Sequence, residues 1–291
     1  MKIAIYSRTL SDNHAQFVDE LLQKLFNEHI EVIVFHPLLP FLNKHIKLNA
    51  GFKTFKKSKE LEGVDYMFSI GGDGTLLESV SYVKKLKIPI LGINTGRLGF
   101  LTSVSIQEID EAIKSILAKD FDLDTRSLLE VELKDNPFGS LNFALNEVTI
   151  QKKDSSSMIT IHTYLNGDFL NSYWADGLIV STPTGSTAYS LSCNGPIVLP
   201  NSGNIIITPI APHNLNVRPV VIPDNIEVKL IIEARAENCL IALDYKSGTI
   251  PVSTEIIIKK STEQINLIRL KNHDFLSTLQ NKLMWGLDKR N

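Results

Sequence analysis

The sequence predicts an α/β N-terminal domain with a parallel sheet plus a β-rich C-terminal domain, and a C-terminal helix that returns to the first domain. Strand and helix signals alternate from residue 2 to about residue 100, apolar periodicity changes to two after about residue 120, and a four-residue apolar repeat closes the chain. With 291 residues, 43% of them hydrophobic, the chain is long enough to bury two cores. The expected division is residues 1–120, completed by about 262–291, and residues 121–261.

Residues 3–6 read as a first strand, Phe17, Val18, Leu21, Leu22 and Leu25 as the inward stripe of a helix, and residues 32–35 as a second strand. A strand ending at Ile70, a helix over 76–86 and a strand over 88–93 follow. Ser105 and Glu108 have capping-box spacing ahead of Ile109, Ile113, Ile116 and Leu117 on one helical face. Period-two runs then appear at 129–133, 148–150 and 159–162, and at Val228, Leu230 and Ile232; residues 256–258 are a further short strand signal. Asn166-Gly167 marks a hairpin, residues 154–157 a polar loop. Phe275, Leu279, Leu283 and Leu287 repeat every four residues, a helix for which a β-rich domain has little use.

A formal net charge of -2, from 30 basic and 32 acidic residues, gives no global field for nucleic acid or an anionic membrane. Cys193 and Cys239 form no C-x-x-C pair, which fits a reducing compartment; both are expected to be small core residues. The first apolar run is too short for a signal sequence, so a cytoplasmic protein is expected. Residues 177–217 contain no charged side chain, yet Pro183, Pro196, Pro200, Pro209 and Pro212 interrupt them too often for a membrane helix. A buried or ligand-lining stretch is expected there.

The most informative local pattern is Ile70-Gly71-Gly72-Asp73-Gly74-Thr75, between a strand and a helix. Glycines 71, 72 and 74 let a large ligand approach the main chain, and the amides of such a turn and helix start suit phosphate oxygens. Asp73 then stands beside that ligand. A tight turn with an N-capping Asp is the plainer reading, and three glycines around one carboxylate make it the weaker one. The dinucleotide fingerprint would need glycine at Leu77, and the Walker loop needs a Gly-Lys pair absent from the chain. Asn94-Thr95-Gly96-Arg97 follows a second strand end.

A second constellation runs from Asp176 to Ser190 through a strand, Pro183-Thr184-Gly185, and the small hydroxyl residues Ser186, Thr187 and Ser190 with Tyr189. It offers amides, hydroxyls and one aromatic face to a flat, phosphate-bearing ligand; a Ser/Thr-rich capping loop is the alternative. Asn146-Glu147 means little alone.

Taken together, the Gly71–Thr75 block, Asn146-Glu147 and residues 176–192 occur in the order and approximate spacing of the NAD kinase family, which the chain resembles over nearly its full length. The resemblance implies two domains with the active site between them. It implies transfer of the ATP γ-phosphoryl group to the 2′-hydroxyl of NAD, usually with Mg²⁺ carried by ATP and no dedicated protein metal ligand, in a homodimer or homotetramer. Asp73 would be the proton acceptor, with Gly71, Gly72, Gly74 and Thr75 at the phosphates. Asn146 and Glu147 would bind adenosine, and Asp176 the nicotinamide half. Thr184, Thr187, Ala188, Tyr189, Ser190, Leu191, Ser192, Ala211 and Lys246 would line the dinucleotide pocket.

The chain departs from the family at Trp174, where a basic residue is frequent, and at Lys246, where Gln is common; Lys246 reaches either a phosphate or solvent. His213 lies near a family segment by the ligand, or is a structural donor. The shared glycine motif leaves a lipid kinase of the diacylglycerol type as a rival, without an amphipathic membrane-facing surface to support it. A non-catalytic NAD(H)/NADP(H)-binding regulator is the other, and Asp73 is the residue it does not need.

Overall fold

The computed structural model describes residues 1–46, 51–96, 99–153 and 157–284. Arg97, Leu287 and residues 154–156 of the expected loop lie outside the described residues. The chain forms two compact units, Met1–Thr125 with Ile265–Asn291, and Arg126–Gln264.

The first unit contains β1 (Lys2–Tyr6), α1 (Ala15–Asn27), β2 (Glu31–Phe35), α2 (Leu39–His45), β3 (Lys53–Phe55), β4 (Tyr66–Gly71), α3 (Asp73–Val83), β5 (Ile90–Asn94), β6 (Val104–Ser105) and α4 (Ile109–Ala118). Its strands are parallel in the order β3-β2-β1-β4-β5, and Ile3 pairs with Val32 on one side and Tyr66 on the other. The connection order reverses between β1 and β4, the position at which open α/β sheets present ligands beyond the carboxyl ends of their strands. Gly71, at the end of β4, is therefore where a site is expected.

The predicted stripe of α1 is buried in full, at Phe17, Val18, Leu21, Leu22 and Leu25. Ser105 donates to Glu108 Oε2 through its backbone N–H at 2.8 Å and its hydroxyl at 2.6 Å, so the capping box exists. It opens a single tight turn ahead of α4 rather than α4 itself. The stripe of α4 needs a correction: Leu117 is exposed and Ala112 takes the inward position, since the 3.6-residue period centres the buried face on Ile109, Ala112, Ile113 and Ile116 and leaves Leu117 at its edge.

The second unit takes most of β7 (Asp122–Leu133), then β8 (Phe143–Ala144), β9 (Glu147–Lys152), β10 (Ile159–Leu165), β11 (Asp168–Ala175), β12 (Gly177–Ser181), α5 (Tyr189–Ser192), β13 (Asn204–Ile210), β14 (Val220–Pro223), β15 (Val228–Glu233), β16 (Asn238–Leu243), β17 (Lys246–Pro251) and the first part of β18 (Ile256–Arg269). Two antiparallel layers result, β11-β10-β15-β18 and β14-β13-β12-β9-β16-β17. The hairpin between β10 and β11 turns at Asn166 (φ 50°) and Gly167 (φ 94°), the double positive φ of a mirror-image two-residue turn. Alternate residues such as Ile159, Ile161, Val228 and Leu230 share one core with Val148, Ile150, Leu178 and Val180. Cys239 belongs to that core with its thiol pushed up to about 11 by burial, whereas Cys193 is only partly buried, against expectation.

The last residues of β18 return to the first unit, where Leu267 pairs in parallel with Ile90 of β5, and α6 (Phe275–Leu283) follows within it. Among the described residues no helix is long and apolar enough to cross a membrane.

Candidate active site

β4 delivers the chain into an elbow that only glycine accepts. Gly71 has φ +155°, and a Cβ there would overlap the Thr75 side chain. Gly72 is extended at the N-cap, and Asp73 is the first residue of α3. Thr75 and Leu76 return their N–H groups to the Gly72 carbonyl at 3.0 and 3.2 Å, leaving the opening amides of the helix facing out of its positive end.

Asp73 does not cap its own helix. Its Oδ2 accepts the Phe100 N–H at 2.8 Å, and its Oδ1 accepts the N–H groups of Leu101 at 3.1 Å and Thr102 at 2.9 Å together with the Thr102 hydroxyl at 2.9 Å. The plain N-cap reading is thus replaced by a carboxylate held across to the loop after β5. Asn94, at the end of β5 and opposite Gly71, supports that loop by donating to Thr102 Oγ1 at 2.9 Å and accepting the Gly96 N–H at 2.6 Å. Behind it, Glu78 on α3 accepts the Tyr6 hydroxyl at 3.0 Å and Arg8 at 2.6 Å. Lys282 of α6 stands 3.9 Å from Asp73 Oδ2. The sequence reading passed over Phe100, Leu101, Thr102 and Lys282, because loop amides carry no residue signature and a lysine on a terminal helix is ordinarily solvated.

In the second unit, Asn146 and Glu147 enter β9 over a buried carboxylate that spacing gave no reason to single out. Asp244 follows β16 at φ 52°, and its two oxygens accept the N–H groups of Leu145 at 2.7 Å, Asn146 at 2.8 Å and Glu147 at 3.1 Å. Its own N–H returns to the Glu147 carbonyl at 3.1 Å. Burial raises the Asp244 carboxyl, opposed by those three amides. Burial and the Asp244 charge push Glu147 up to about 8, with the Tyr189 N–H pulling the other way. Glu147 Oε2 is buried and has no hydrogen-bond partner among the described residues, and the raised carboxyl favours the protonated form, which can donate to a ligand oxygen.

The hydroxyl-rich block folds against the same segment. Thr182 donates its N–H to the Asn146 carbonyl at 2.9 Å and its hydroxyl to the Leu145 carbonyl at 2.6 Å, then accepts the Gly185 N–H at 3.1 Å. Gly185 lies so close that a Cβ would overlap the Asn146 carbonyl. Thr184 Oγ1 accepts the buried Arg126 guanidinium at 3.1 Å, a cation the sequence reading also missed. Thr187 caps the Thr184 carbonyl at 3.2 Å, and Ala188 leads into α5. Ser190 pairs with Thr208 at 2.8 Å, while Leu191 and Ser192 complete the short helix. Tyr189 keeps an exposed ring with its hydroxyl accepting from Gln151 at 2.9 Å.

Asp176, between β11 and β12, is paired with Lys152 at 2.6 Å. Ala211 follows β13 in the left-handed region at φ 44°. Trp174 is exposed rather than in the β core, and its ring lies 4.2 Å from that of His213, whose N–H donates to the Trp174 carbonyl at 2.9 Å. Lys246 reaches the carbonyls of Leu141 at 2.9 Å and Phe143 at 2.8 Å and lies over the Phe143 ring at 4.1 Å, instead of extending into solvent. Among the described residues no cluster of three or more His, Cys, Asp or Glu could hold a metal ion.

Residues 11–121 match the ATP-NAD kinase N-terminal domain and residues 145–270 the ATP-NAD kinase C-terminal domain. The chain belongs to the ATP-NAD kinase family. NAD kinases of Christiangramia forsetii (45% identity over 294 residues) and Bacteroides fragilis (43% over 290 residues) each match 100% of this chain and 100% of their own length. An NAD kinase from Archaeoglobus fulgidus, solved in complex with ATP, superposes with a TM-score of 0.72 at 29% identity, covering 98% of this chain and 99% of that one. Yeast NADH kinase complexed with NADH shares the fold at a TM-score of 0.89 and 24% identity, covering 99% of this chain and 89% of that one. The glycine elbow and the Asn146-Glu147 segment thus belong to an ATP-NAD kinase scaffold.

Proposed function

We propose that this chain transfers the γ-phosphoryl group of ATP to the 2′-hydroxyl of the adenosine ribose of NAD, giving NADP and ADP. Beyond family membership, one observation carries the reading: Asp73 stands at the carboxyl end of β4 and is turned away from its own helix by four donors of the loop after β5. A carboxylate kept there beside the electropositive start of α3 suits a proton acceptor better than a cap. The 2′-hydroxyl oxygen attacks the γ-phosphorus, the bond to the bridging β-phosphate oxygen breaks, and the hydroxyl proton passes to Asp73.

The donor is taken as its Mg²⁺ complex, the cation neutralising charge on the phosphates. It is carried by the nucleotide, and no protein ligand is assigned to it. The Gly71–Thr75 elbow receives phosphate oxygens at main-chain amides. Asn146 and Glu147, fixed by Asp244, receive the adenosine portion; the Glu147 carboxyl, with Oε2 unpartnered among the described residues, is suited to a ribose hydroxyl, and Tyr189 offers its ring.

Purified protein with ATP, Mg²⁺ and NAD should yield NADP by an NADP-specific assay. Asp73→Asn should keep dinucleotide affinity and lose at least about 10²-fold in turnover. The second reading, a non-catalytic dinucleotide-binding regulator, predicts no NADP from the parent protein and no turnover for Asp73 to govern.

A further inference from the structure

We propose that Lys282, carried on the C-terminal helix, is a positioning residue for the Asp73 carboxylate. Its ammonium limits the swing of Oδ2 and screens that charge against the phosphate oxygens of the donor. The inference rests on the reading of Asp73 as proton acceptor.

The Lys282 ammonium is 3.9 Å from Asp73 Oδ2 and 4.4 Å above the centre of the Phe100 ring. The backbone N–H of that same Phe100 donates to Oδ2 at 2.8 Å. One residue of the loop therefore fixes both the carboxylate and the lysine opposite it. Phe275, two helical turns before Lys282, meets the other side of the arrangement with its ring 6.3 Å from Phe100. A single face of α6 thus holds Phe100 at one end and presents a cation to Asp73 at the other.

The direction of that helix is fixed where it starts. Asp274 accepts the Ser277 N–H at 2.7 Å, His273 contacts Glu108 at 3.0 Å, Asn272 donates to Glu111 at 3.0 Å, and Arg269 pairs with Asp122 at 3.0 Å. Leu279 is buried between the two ends. Among the described residues, Asp73 is the carboxylate that Lys282 pairs with.

The chemistry needs such a cation. A carboxylate that accepts a proton beside a polyphosphate is repelled by the group it serves, and a nearby ammonium removes part of that repulsion while limiting how far the carboxylate swings. The lysine side chain is partly exposed, 32%, so its donors can follow the carboxylate as ligand enters.

The test is Lys282→Met, which keeps the apolar stem on Phe100, beside Lys282→Arg, each assayed in the full chain with ATP, Mg²⁺ and NAD. Lys282→Met should lower kcat by about tenfold or more, with KM for NAD and the melting midpoint nearly unchanged, and Lys282→Arg should regain most of the loss. In an Asp73→Asn background, Lys282→Met should cause little further loss, because its effect passes through the carboxylate. A Lys282→Met enzyme with parental kcat overturns the inference. So does a full additional loss in the Asp73→Asn background, or a fall in melting midpoint that Arg does not reverse. Near-normal turnover in Asp73→Asn alone overturns the reading of Asp73 itself, and this inference with it; the two failures are thereby told apart.

Discussion

Asp244 organises the adenosine segment, yet nothing around it draws attention, since Leu243-Asp244-Tyr245 reads as a strand passing into a turn. Its importance is created by the fold, which brings three consecutive amides, Leu145 to Glu147, onto one buried carboxylate. Residues such as Asp73 are legible because a glycine setting is visible locally; Asp244, Arg126 and Lys282 act on partners far away in sequence and carry no local mark. The consequence at Glu147 is measurable. Its carboxyl is pushed from 4.5 up to about 8 by burial and the Asp244 charge, so between those values the folded chain holds a proton that the unfolded chain has released. Stability from this group is therefore complete below about 4.5 and declines as pH rises toward 8, at up to about 1.4 kcal/mol per pH unit, the reverse of an ion-paired carboxylate. Glu147→Gln should flatten that part of the slope, while Asp244, also raised, leaves a residual slope of the same sign. Denaturant unfolding of both proteins across this range checks it, and identical slopes would contradict the assignment.

At the scale of elements, what the sequence predicts well is whatever periodicity and punctuation determine locally. The strand ending beside Gly71, the stripe of α1, the Ser105 capping box and the Asn166-Gly167 hairpin are all of this kind. β13 is less legible, because it is buried along most of its length and contains Pro209, a residue normally kept out of central strands. The register explains the proline: β14 covers only Asn204 to Ile207, so on that flank no partner strand asks Pro209 for a donor. The elbow between β4 and α3 gives a prediction of its own. Gly71 combines φ +155° with contact to Thr75, whereas a Cβ on Gly72, at φ -100°, would meet nothing within 4 Å. Gly71→Ala should thus cost roughly 1–3 kcal/mol from strain alone and shift Asp73 with the elbow. Gly72→Ala should cost less than about 1 kcal/mol. Thermal or denaturant unfolding of the two variants decides it, and equal losses would mean that the elbow is not backbone-limited.

For the molecule as a whole, the order of the chain and the order of its cores differ. The second unit is one continuous stretch, Arg126–Gln264, whereas the first is completed only by Ile265–Asn291, which the chain supplies last. The sequence hints at this through the terminal apolar repeat, but the part played by β18 is hidden because one long strand serves two cores in succession. Leu267, Ile268, Leu270 and Leu279 are all buried in the first unit. At roughly 1.5–3 kcal/mol for each fully buried side chain, these four supply roughly 6–12 kcal/mol, comparable with the roughly 5–15 kcal/mol net stability of a whole domain. A fragment ending at Thr125 also leaves β5 without its Leu267 pairing, an open flank of the kind that associates with other chains. Residues 1–125 alone should therefore fail to unfold cooperatively and should self-associate. Residues 126–264 alone should show a cooperative β-rich transition. Joining residues 265–291 to 1–125 through a flexible linker should restore a cooperative transition to the first unit. Circular dichroism melts with light scattering on the three polypeptides test this, and a cooperative, monomeric 1–125 fragment would show that the returning segment serves Asp73 without being needed for the fold.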